Sequence, residues 1–443
     1  MTQPTPIQPA PTPPPGMTSP DVRPFSYTAS DDALANLRQR LVASRLPDKE
    51  LVADASQGVQ LATLHALTRY WGTEYDWRKI EARLNALPQF KTEIDGVDIH
   101  FIHVRSKHDG ALPLIITHGW PGSVIEMLEV IGPLTDPTAH GGSAEDAFHL
   151  VIPSLPGYGF SDAPKEVGWD PSHVASAWAE LIRRLGYTRY VAQGGDQGAG
   201  VTDAMARQSP NGLLGVHFNF LSSFPTEVLA AIFGGEFAQG LFKRVAVAVV
   251  ASRAEKEHAA LAAVEALFMR GYLAEMNTRP QTIGSTLTDS PVGQASWMLD
   301  HDTDSYEKIS RAFLKGQPSG GLTRDHILDN MSLYWLTNTA TSAARLYWEN
   351  AQSIAAAIAS GKKAPEASVP VAFTVFPGEI FQAPRSWVEK VYPHLTYFHE
   401  ADKGGHFAAW EEPQLFSEEL RAAFRSLRQS GQGKVGNEQR MHS

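Results

Sequence analysis

The chain of 443 residues contains no cysteine, and this absence removes several kinds of site at once. Disulfide frameworks, thiolate metal centres and cysteine nucleophiles all require a thiol, so none of them can be built here. Basic residues are also in the minority, with 38 lysines and arginines against 48 acidic residues and a formal net charge of −10. Because nucleic-acid-binding proteins usually carry a basic patch, we expect no nucleic-acid partner.

Long apolar runs are missing as well. The longest uninterrupted run covers residues 245–251, far short of the roughly 18 residues that a membrane-spanning helix needs. The first residues also lack the basic start and apolar core of a secretory signal. The sequence therefore predicts a soluble, cytoplasmic protein with no membrane span, and it leaves open whether that protein forms a homodimer.

The hydrophobic pattern changes several times along the chain. Short amphipathic helices and a hairpin with an Asp95-Gly96 turn come first, and apolar strands that alternate with helices follow. A helix-rich insertion interrupts that alternation. The predicted units are a proline-rich extended segment over 1–22, an N-terminal meander over 23–105, the first part of the core over 106–221, a helical lid over 222–360, the second part of the core over 361–428 and a flexible tail over 429–443.

Apolar strands that alternate with helices indicate an α/β protein with a mainly parallel sheet covered on both faces. An insertion between strands of such a sheet lies over their carboxyl ends, where ligands bind. We therefore expect the helical insertion to form a lid over the functional site. Within the lid, the pattern predicts helices over 226–233, 254–272, 325–336 and 343–358.

The most informative motif is Gly194-Gly195-Asp196-Gln197-Gly198, between an apolar strand and a helix of small residues. This is the setting of a nucleophile elbow, a tight turn that holds its central residue at strained backbone angles and has no room for bulky neighbours. With Asp196 at the centre, the nucleophile is a carboxylate that would form an ester at an sp³ carbon. A helix N-cap is the alternative role for this aspartate.

A base and an orienting acid are expected after the nucleophile in the chain. His406 lies in a Gly-Gly-His-Phe loop near the C-terminus and is the candidate base for water, since an ester on the nucleophile must be hydrolysed. Glu379 follows a predicted strand and is the candidate acid that orients His406. The rival carboxylates are Glu400, Asp402 and, further upstream, Asp329.

The remaining candidates are groups that stabilise negative charge on oxygen. A glycine- and proline-rich turn follows another apolar strand, and it can aim the backbone N–H of Trp120 at the nucleophile. Together with the N–H of Gln197, this group would form an oxyanion hole. Lid tyrosines can donate a hydrogen bond to a developing alkoxide. The residues alone do not select among Tyr272, Tyr306, Tyr334 and Tyr347.

One acidic run, residues 300–304, is similar to the start of a Ca²⁺-binding loop. However, Ser305 stands where that loop needs glycine, and Arg311 stands where it needs its last carboxylate ligand. We therefore interpret the run as a solvated acidic loop. No H-E-x-x-H zinc motif is present either.

Together these motifs resemble those of the α/β-hydrolase-fold epoxide hydrolases, specifically the microsomal-type branch, from about residue 23 to residue 427. The matching segments are 75–78 with 84–85, 118–123, 156–161, 194–198, 288–293 and 404–409. Animal members of that family carry an N-terminal membrane anchor, whereas this chain begins with a proline-rich polar segment.

The resemblance implies hydrolysis of a small-molecule epoxide to a vicinal diol, with no metal or organic cofactor. It implies these roles: Asp196 as nucleophile, Glu379 as acid, His406 as base, Tyr272 and Tyr347 as the lid tyrosines, and Trp120 with Gln197 at the oxyanion hole. Two alternatives stay open. A haloalkane or haloacid dehalogenase can use the same nucleophile but needs tryptophan or asparagine donors for the halide. The other is a catalytically silent ligand-binding homologue, because a fold does not dictate an activity.

Overall fold

The computed structural model describes residues 21–229, 255–361 and 364–429. Within these ranges, nine strands form one sheet. They are β1 Arg23–Pro24, β2 Gln89–Ile94, β3 Val97–Val104, β4 Leu112–Thr117, β5 Phe148–Pro153, β6 Tyr190–Gly194, β7 Leu213–Phe218, β8 Val371–Val375 and β9 Leu395–Glu400. Their order across the sheet is β1-β2-β3-β5-β4-β6-β7-β8-β9. All pairings from β5 to β9 are parallel, which confirms the mainly parallel sheet, whereas β1, β2 and β3 are antiparallel additions at one edge.

The N-terminal helices form where the hydrophobic pattern predicts them. They are α1 Asp31–Val42, α2 Leu61–Thr73 and α3 Trp77–Asn85. The Ser30 side chain caps α1 by accepting a hydrogen bond from the N–H of Ala33 over 3.1 Å. The predicted hairpin is also confirmed, because Asp95 and Gly96 form the turn between β2 and β3 with positive φ values of 48° and 79°.

The helices of the core flank the parallel strands. They are α4 Ile131–Thr135, α5 Pro171–Arg184 and α6 Asp196–Gln208 before the lid, and α14 Arg385–Val391, α15 Ala408–Glu411 and α16 Pro413–Gln429 after it. The helix α5 buries one apolar stripe that includes Val174, Trp178 and Leu181, as its spacing predicts. Strands β4 and β6 are buried along their whole length, so the sheet lies inside the molecule.

The described part of the predicted lid is helical from residue 255 to residue 360, and it is more finely divided than the pattern indicates. The helices in that range are α7 Glu255–Phe268, α8 Gly271–Thr278, α9 Pro280–Asp289, α10 Pro291–Leu299, α11 Thr303–Lys315, α12 Arg324–Thr337 and α13 Ala340–Ser360. The prediction of one helix over 254–272 is wrong. Arg270 has an extended backbone, with ψ of 133°, and this breaks the chain into α7 and α8. The break lets α8 pack against α13.

Several predictions lie outside the described residues: the proline-rich segment up to residue 20, the tail from residue 430, the apolar run 245–251 and the second half of the predicted helix 226–233, whose first half, 226–229, is helical. Among the residues that are described, none of the helices combines the length and the apolar character that crossing a membrane requires.

Candidate active site

The elbow is built by the end of β6 and the start of α6. Asp196 is the first residue of α6 and has a φ of 48°, in the left-handed region that non-glycine residues rarely adopt. A Cβ atom on Gly194 would overlap the carbonyl oxygen of Gly198, and one on Gly198 would overlap that of Thr117. The strained, glycine-dependent turn is therefore confirmed. Gly195 holds the N-cap position, so the aspartate is not the helix cap.

Backbone N–H groups hold the carboxylate of the nucleophile. The N–H of Trp120 donates to Oδ1 of Asp196 over 2.8 Å, and the backbone of Gln197 also hydrogen-bonds this carboxylate. A Cβ atom on Gly119 would overlap the same carboxylate, so only glycine allows this approach. Oδ1 thus occupies the position in which an oxyanion would be stabilised, and Oδ2 is left as the attacking atom.

His406 and Glu379 form a buried pair beside the nucleophile. Nδ1 of His406 lies 2.6 Å from Oε1 of Glu379, and Nε2 of His406 lies 3.8 Å from Oδ2 of Asp196. Burial opposes a charge on the imidazole, but the Glu379 carboxylate and its hydrogen bond outweigh burial and raise the pKa of His406 to about 10.

The rival acids lie elsewhere. Glu400 forms an ion pair with Lys256 over 2.7 Å, Asp402 is exposed, and Asp329 accepts a hydrogen bond from the hydroxyl of Tyr75 over 2.8 Å. Of the carboxylates considered, Glu379 is the one that contacts His406.

The nucleophile is held ionised. Burial opposes ionisation of Asp196, but the imidazole of His301, whose Nε2 lies 3.7 Å from Oδ2, and the charge of His406 outweigh it and hold the carboxyl pKa below its usual range. Nearby Glu126 behaves in the opposite way. Its burial, with the charge of Asp196, raises its pKa to about 8. Sequence reasoning missed Glu126, because it lies in a 3₁₀ segment with no motif of its own.

A small cavity of about 20 Å³ lies between the nucleophile and the base. Glu126, Asp196, Asn219 and His406 are among its lining residues. A volume of this size has room for about one water molecule, and these polar groups can hydrogen-bond it, while apolar residues such as Met127 and Phe416 form the rest of the lining. The site can therefore place a water molecule beside both the imidazole and the carboxyl group.

Two of the candidate tyrosines meet on the lid side of the site. The rings of Tyr272 and Tyr347 are both buried and lie edge to face with their centroids 6.3 Å apart. The hydroxyl of Tyr347 has no hydrogen-bond partner among the described residues. Burial raises the pKa of both phenols well above its ordinary value, so both groups stay protonated donors.

The other two tyrosines have their hydroxyls engaged. The hydroxyl of Tyr306 accepts from the N–H of Gln60 over 2.9 Å, and it also lies 3.3 Å from the hydroxyl of Thr63. The hydroxyl of Tyr334 donates to the carbonyl of Gly122 over 2.5 Å. These contacts tie the lid to the rest of the chain, which is a structural role.

The interpretation of residues 300–304 as a solvated loop is wrong for His301 and Asp302, although Asp300 and Thr303 are exposed as expected. His301 is 1% exposed and Asp302 is 3% exposed, because this turn between α10 and α11 faces the nucleophile. Nε2 of His301 lies 3.7 Å from Oδ2 of Asp196, and its Nδ1 lies 3.2 Å from Oδ2 of Asp302. The other oxygen of Asp302 accepts from the N–H of Ser305 over 2.7 Å and caps α11. The carboxylate can be buried because it has these partners. The sequence offered one signal for this role of Asp302, namely its position just before an amphipathic helix, where an aspartate commonly caps the first turn.

Asp196, His301 and His406 offer ligand atoms that lie within 4.8 Å of one another, close enough to share an ion. The same arrangement has an explanation without a metal ion. The ring nitrogens of His301 and His406 that face Asp196 stabilise its buried negative charge. Proximity alone therefore does not define a metal centre in this part of the structure.

Comparison with known proteins places these residues in context. Two family models match the chain: the epoxide hydrolase N terminus over residues 22–127 and the α/β hydrolase fold over residues 113–304. A candidate epoxide hydrolase of Stigmatella aurantiaca (strain DW4/3-1) is 50% identical over 92% of this chain and 86% of its own length. Epoxide hydrolase 1 of Sus scrofa is 35% identical over 90% of this chain and 88% of its own. The crystal structure of juvenile hormone epoxide hydrolase from the silkworm Bombyx mori is 30% identical, has a TM-score of 0.76, and matches 93% of this chain and 95% of that one.

Proposed function

The chain belongs to the epoxide hydrolases of the α/β-hydrolase fold, and we propose that it converts epoxides to vicinal diols through an ester on Asp196. One observation carries the residue assignment. The Asp196 carboxylate lies 3.8 Å from His406 of the buried His406–Glu379 pair, and on the lid side it is close enough to Tyr272 and Tyr347 for its charge to raise the pKa of both phenols. An acid–base pair, a carboxylate nucleophile and two phenol donors are together what epoxide hydrolysis requires.

In the first step, the hydroxyls of Tyr272 and Tyr347 bind the oxirane oxygen. Oδ2 of Asp196 attacks a ring carbon, the carbon–oxygen bond of the ring breaks, and the two phenols stabilise the alkoxide until it takes up a proton. The unpartnered hydroxyl of Tyr347 supports this role, because a buried donor without an acceptor is ready to bind one.

In the second step, His406 activates water. Alkylation removes the negative charge of Asp196, which is one of the charges that raise the pKa of His406. The imidazole therefore gives up its proton more easily once the ester has formed. That proton goes to the substrate alkoxide, and the neutral imidazole can then accept one from water in the adjoining cavity. Attack at the carboxyl carbon places negative charge on Oδ1, where the N–H groups of Trp120 and Gln197 stabilise it.

The paired phenols also bear on the dehalogenase alternative. A halide leaving group needs N–H donors from tryptophan or asparagine, whereas Tyr272 and Tyr347 present two hydroxyl donors that suit an oxygen. The indole of Trp120 is fully buried and packs edge-on against Tyr334 at 5.3 Å. The backbone N–H of Trp120 contacts the nucleophile over 2.8 Å, whereas its buried Nε1 has no hydrogen-bond partner among the described residues. The chloride-release measurement described below therefore decides between the two activities.

A single turnover in ¹⁸O-labelled water tests the proposal. The protein, in molar excess over styrene oxide, completes at most one turnover per molecule. The peptide that contains Asp196 is then analysed by mass spectrometry. Label in the Asp196 carboxylate is expected, because the water oxygen stays on the enzyme and Oδ2 leaves in the diol. Labelled diol with an unlabelled peptide would refute the ester. Chloride release from a chloroalkane, measured in parallel, would favour the dehalogenase.

The cytoplasmic location stays a prediction, and whether the protein forms a homodimer stays open. Cell fractionation and light scattering of the purified full chain would test them.

A further inference from the structure

The nucleophile faces a second carboxylate–imidazole pair that sequence motifs do not assign. Asp302 and His301 approach Oδ2 of Asp196 from the lid, as Glu379 and His406 approach it from the core. The two distances to Oδ2 are 3.7 Å for Nε2 of His301 and 3.8 Å for Nε2 of His406. The two imidazole rings lie 4.5 Å apart. The site is therefore nearly symmetric around one oxygen atom.

Nothing else in the described chain engages the inner nitrogen of His301. Nε2 is buried and has no hydrogen-bond partner, while Nδ1 is oriented by the Asp302 carboxylate. That carboxylate is fixed in turn by the N–H of Ser305. A buried polar atom without a partner is costly, so its position opposite the reacting oxygen calls for a role in the reaction.

We propose that His301 is a second catalytic histidine, the acid that protonates Oδ2 of Asp196 as the ester breaks down. This role rests on the proposed function, because it needs the ester intermediate. In that intermediate Oδ2 is bonded to the substrate carbon, and it leaves the enzyme as a hydroxyl oxygen of the diol. A leaving alkoxide needs a proton, and His301 is the lid-side imidazole beside that oxygen.

The step balances in atoms and charge. Water loses one proton to Nε2 of His406 as its oxygen bonds to the carboxyl carbon of Asp196. The bond from that carbon to Oδ2 breaks, and the electron pair on Oδ2 takes the proton from Nε2 of the His301 imidazolium. The new carboxyl group, which holds the water oxygen, returns its remaining proton to His301. Both imidazoles then carry a proton beside the regenerated carboxylate.

The surroundings of the two histidines support this division of work. His406 lines the cavity that has room for one water molecule, together with Glu126 and Asn219. His301 does not line that cavity. It lines a second cavity of similar volume with Asp302, and it packs on the ring of Tyr272, with centroids 4.9 Å apart, on the side proposed to bind the substrate oxygen. The base thus faces the water, and the acid faces the departing diol. The distance of 3.7 Å in the free enzyme exceeds a hydrogen bond, as is common before substrate binds.

The test measures how ester breakdown depends on the leaving group. A series of terminal epoxides with increasingly electron-withdrawing substituents gives esters of increasingly acidic alcohols. In single turnovers, the formation and decay of the ester are followed by quenched-flow mass spectrometry. The unaltered enzyme should show a shallow dependence of decay on alcohol acidity, because the leaving oxygen is protonated as it departs. His301→Gln should decay about 100-fold more slowly for the least acidic alcohol and recover as the alcohol becomes more acidic.

Two further variants separate catalysis from folding. Asp302→Asn keeps an oxygen that can cap α11 but removes the charge that orients His301, so it should steepen the dependence less than His301→Gln does. His326→Gln makes the same substitution at a lid histidine that hydrogen-bonds the carbonyl of Gly321 and packs on Trp410. It should keep the shallow dependence.

The outcomes are distinct. The acid role is supported if the rate of ester decay depends steeply on the acidity of the leaving alcohol in His301→Gln or Asp302→Asn, while the ester forms at the normal rate. Slower decay by the same factor for every substrate would overturn it, and so would unchanged decay. If the unaltered enzyme forms no ester at all, the proposed function itself fails, independently of His301.

Discussion

Nδ1 of His406 lies 2.6 Å from Oε1 of Glu379, and both side chains are buried. The N–H of Ile380 donates to the same oxygen over 2.8 Å, which fixes the carboxylate. This contact holds the imidazole with Nδ1 protonated, so that Nε2 faces the nucleophile. Among the causes that favour a proton on His406, the Glu379 charge is the largest.

Replacing Glu379 by glutamine is therefore expected to affect mainly the second step. The amide can still accept from Nδ1, but it removes the charge that raises the pKa of His406, so the imidazole becomes a weaker base. We expect Glu379→Gln to slow ester hydrolysis by about 100-fold or more. The ester then accumulates as a protein mass increase equal to the mass of the substrate. Glu400→Gln, which alters a surface ion pair with Lys256, should behave as the unaltered enzyme. Equal decay rates in both variants would contradict the assignment of the acid.

The lid tyrosines should affect the opposite half of the reaction. Tyr272→Phe and Tyr347→Phe each remove one hydrogen-bond donor from the developing alkoxide, at a cost of about 10- to 1000-fold in the rate of ester formation. The double variant should form ester at close to the background rate. Tyr306→Phe is the matched control, because its hydroxyl contacts Gln60 and Thr63 rather than the site. Rapid-quench measurement of ester formation distinguishes the variants, and normal formation in Tyr347→Phe would rule out that residue as a donor.

The main elements of the fold could be predicted from the sequence because each depends on the spacing of apolar residues or glycines within a short segment. The buried strands β4, β6 and β8 are short apolar runs, and the elbow is marked by Gly194, Gly195 and Gly198 around its aspartate. Such a motif can be recognised in the sequence because a Cβ atom at any of these glycine positions would overlap neighbouring atoms. The break at Arg270 could not be predicted in this way, since it depends on how α8 packs against α13.

The second half of the site depends on contacts between residues that are distant in sequence. His301 and Asp302 are separated from Asp196 by more than a hundred residues, and an acidic run is normally solvated. Only the packing of the lid buries them. The same reason explains why the tyrosine pair could not be chosen from spacing alone, although the resemblance to the family selected it.

The glycines of α6 give a paired test of the elbow. Gly198→Ala would push a Cβ atom into the carbonyl oxygen of Thr117, so we expect loss of activity and a fall in unfolding free energy of more than about 2 kcal/mol. Gly200 lies on the same helix, and a Cβ atom there would meet Pro171 at an ordinary distance of 3.8 Å. Gly200→Ala should stabilise the protein by up to about 1 kcal/mol, because alanine is the better helix former. Urea denaturation measures both changes, and similar stability for the two variants would contradict the steric argument.

A buried histidine far from the reaction should make the stability depend on pH. His100 is fully buried, and its ring nitrogens lie 2.9 Å from the hydroxyl of Ser154 and 3.0 Å from Oε1 of Gln89. The amide nitrogen of Gln89 donates to the carbonyl of Leu84, which turns its oxygen toward His100 and places the ring proton on Nε2. Burial, with a smaller contribution from the charge of Lys91, lowers the pKa of His100 to about 3.

The sign follows from proton binding. Below about pH 6.5 the unfolded chain protonates this histidine, whereas the folded protein does not do so until about pH 3. This histidine alone therefore lowers the free energy of unfolding by about 1.4 kcal/mol for each pH unit between these values, or by nearly 3 kcal/mol at pH 4.5. His100→Gln should be less stable than the unaltered protein at pH 7.5, because it loses packing and a hydrogen bond, yet its stability should decline less steeply with falling pH. Urea denaturation at intervals from pH 7.5 to 4.5 gives the two slopes, with the same substitution at the exposed His65 as control. Parallel slopes for His100→Gln and the unaltered protein would show that this imidazole is not held neutral by the fold.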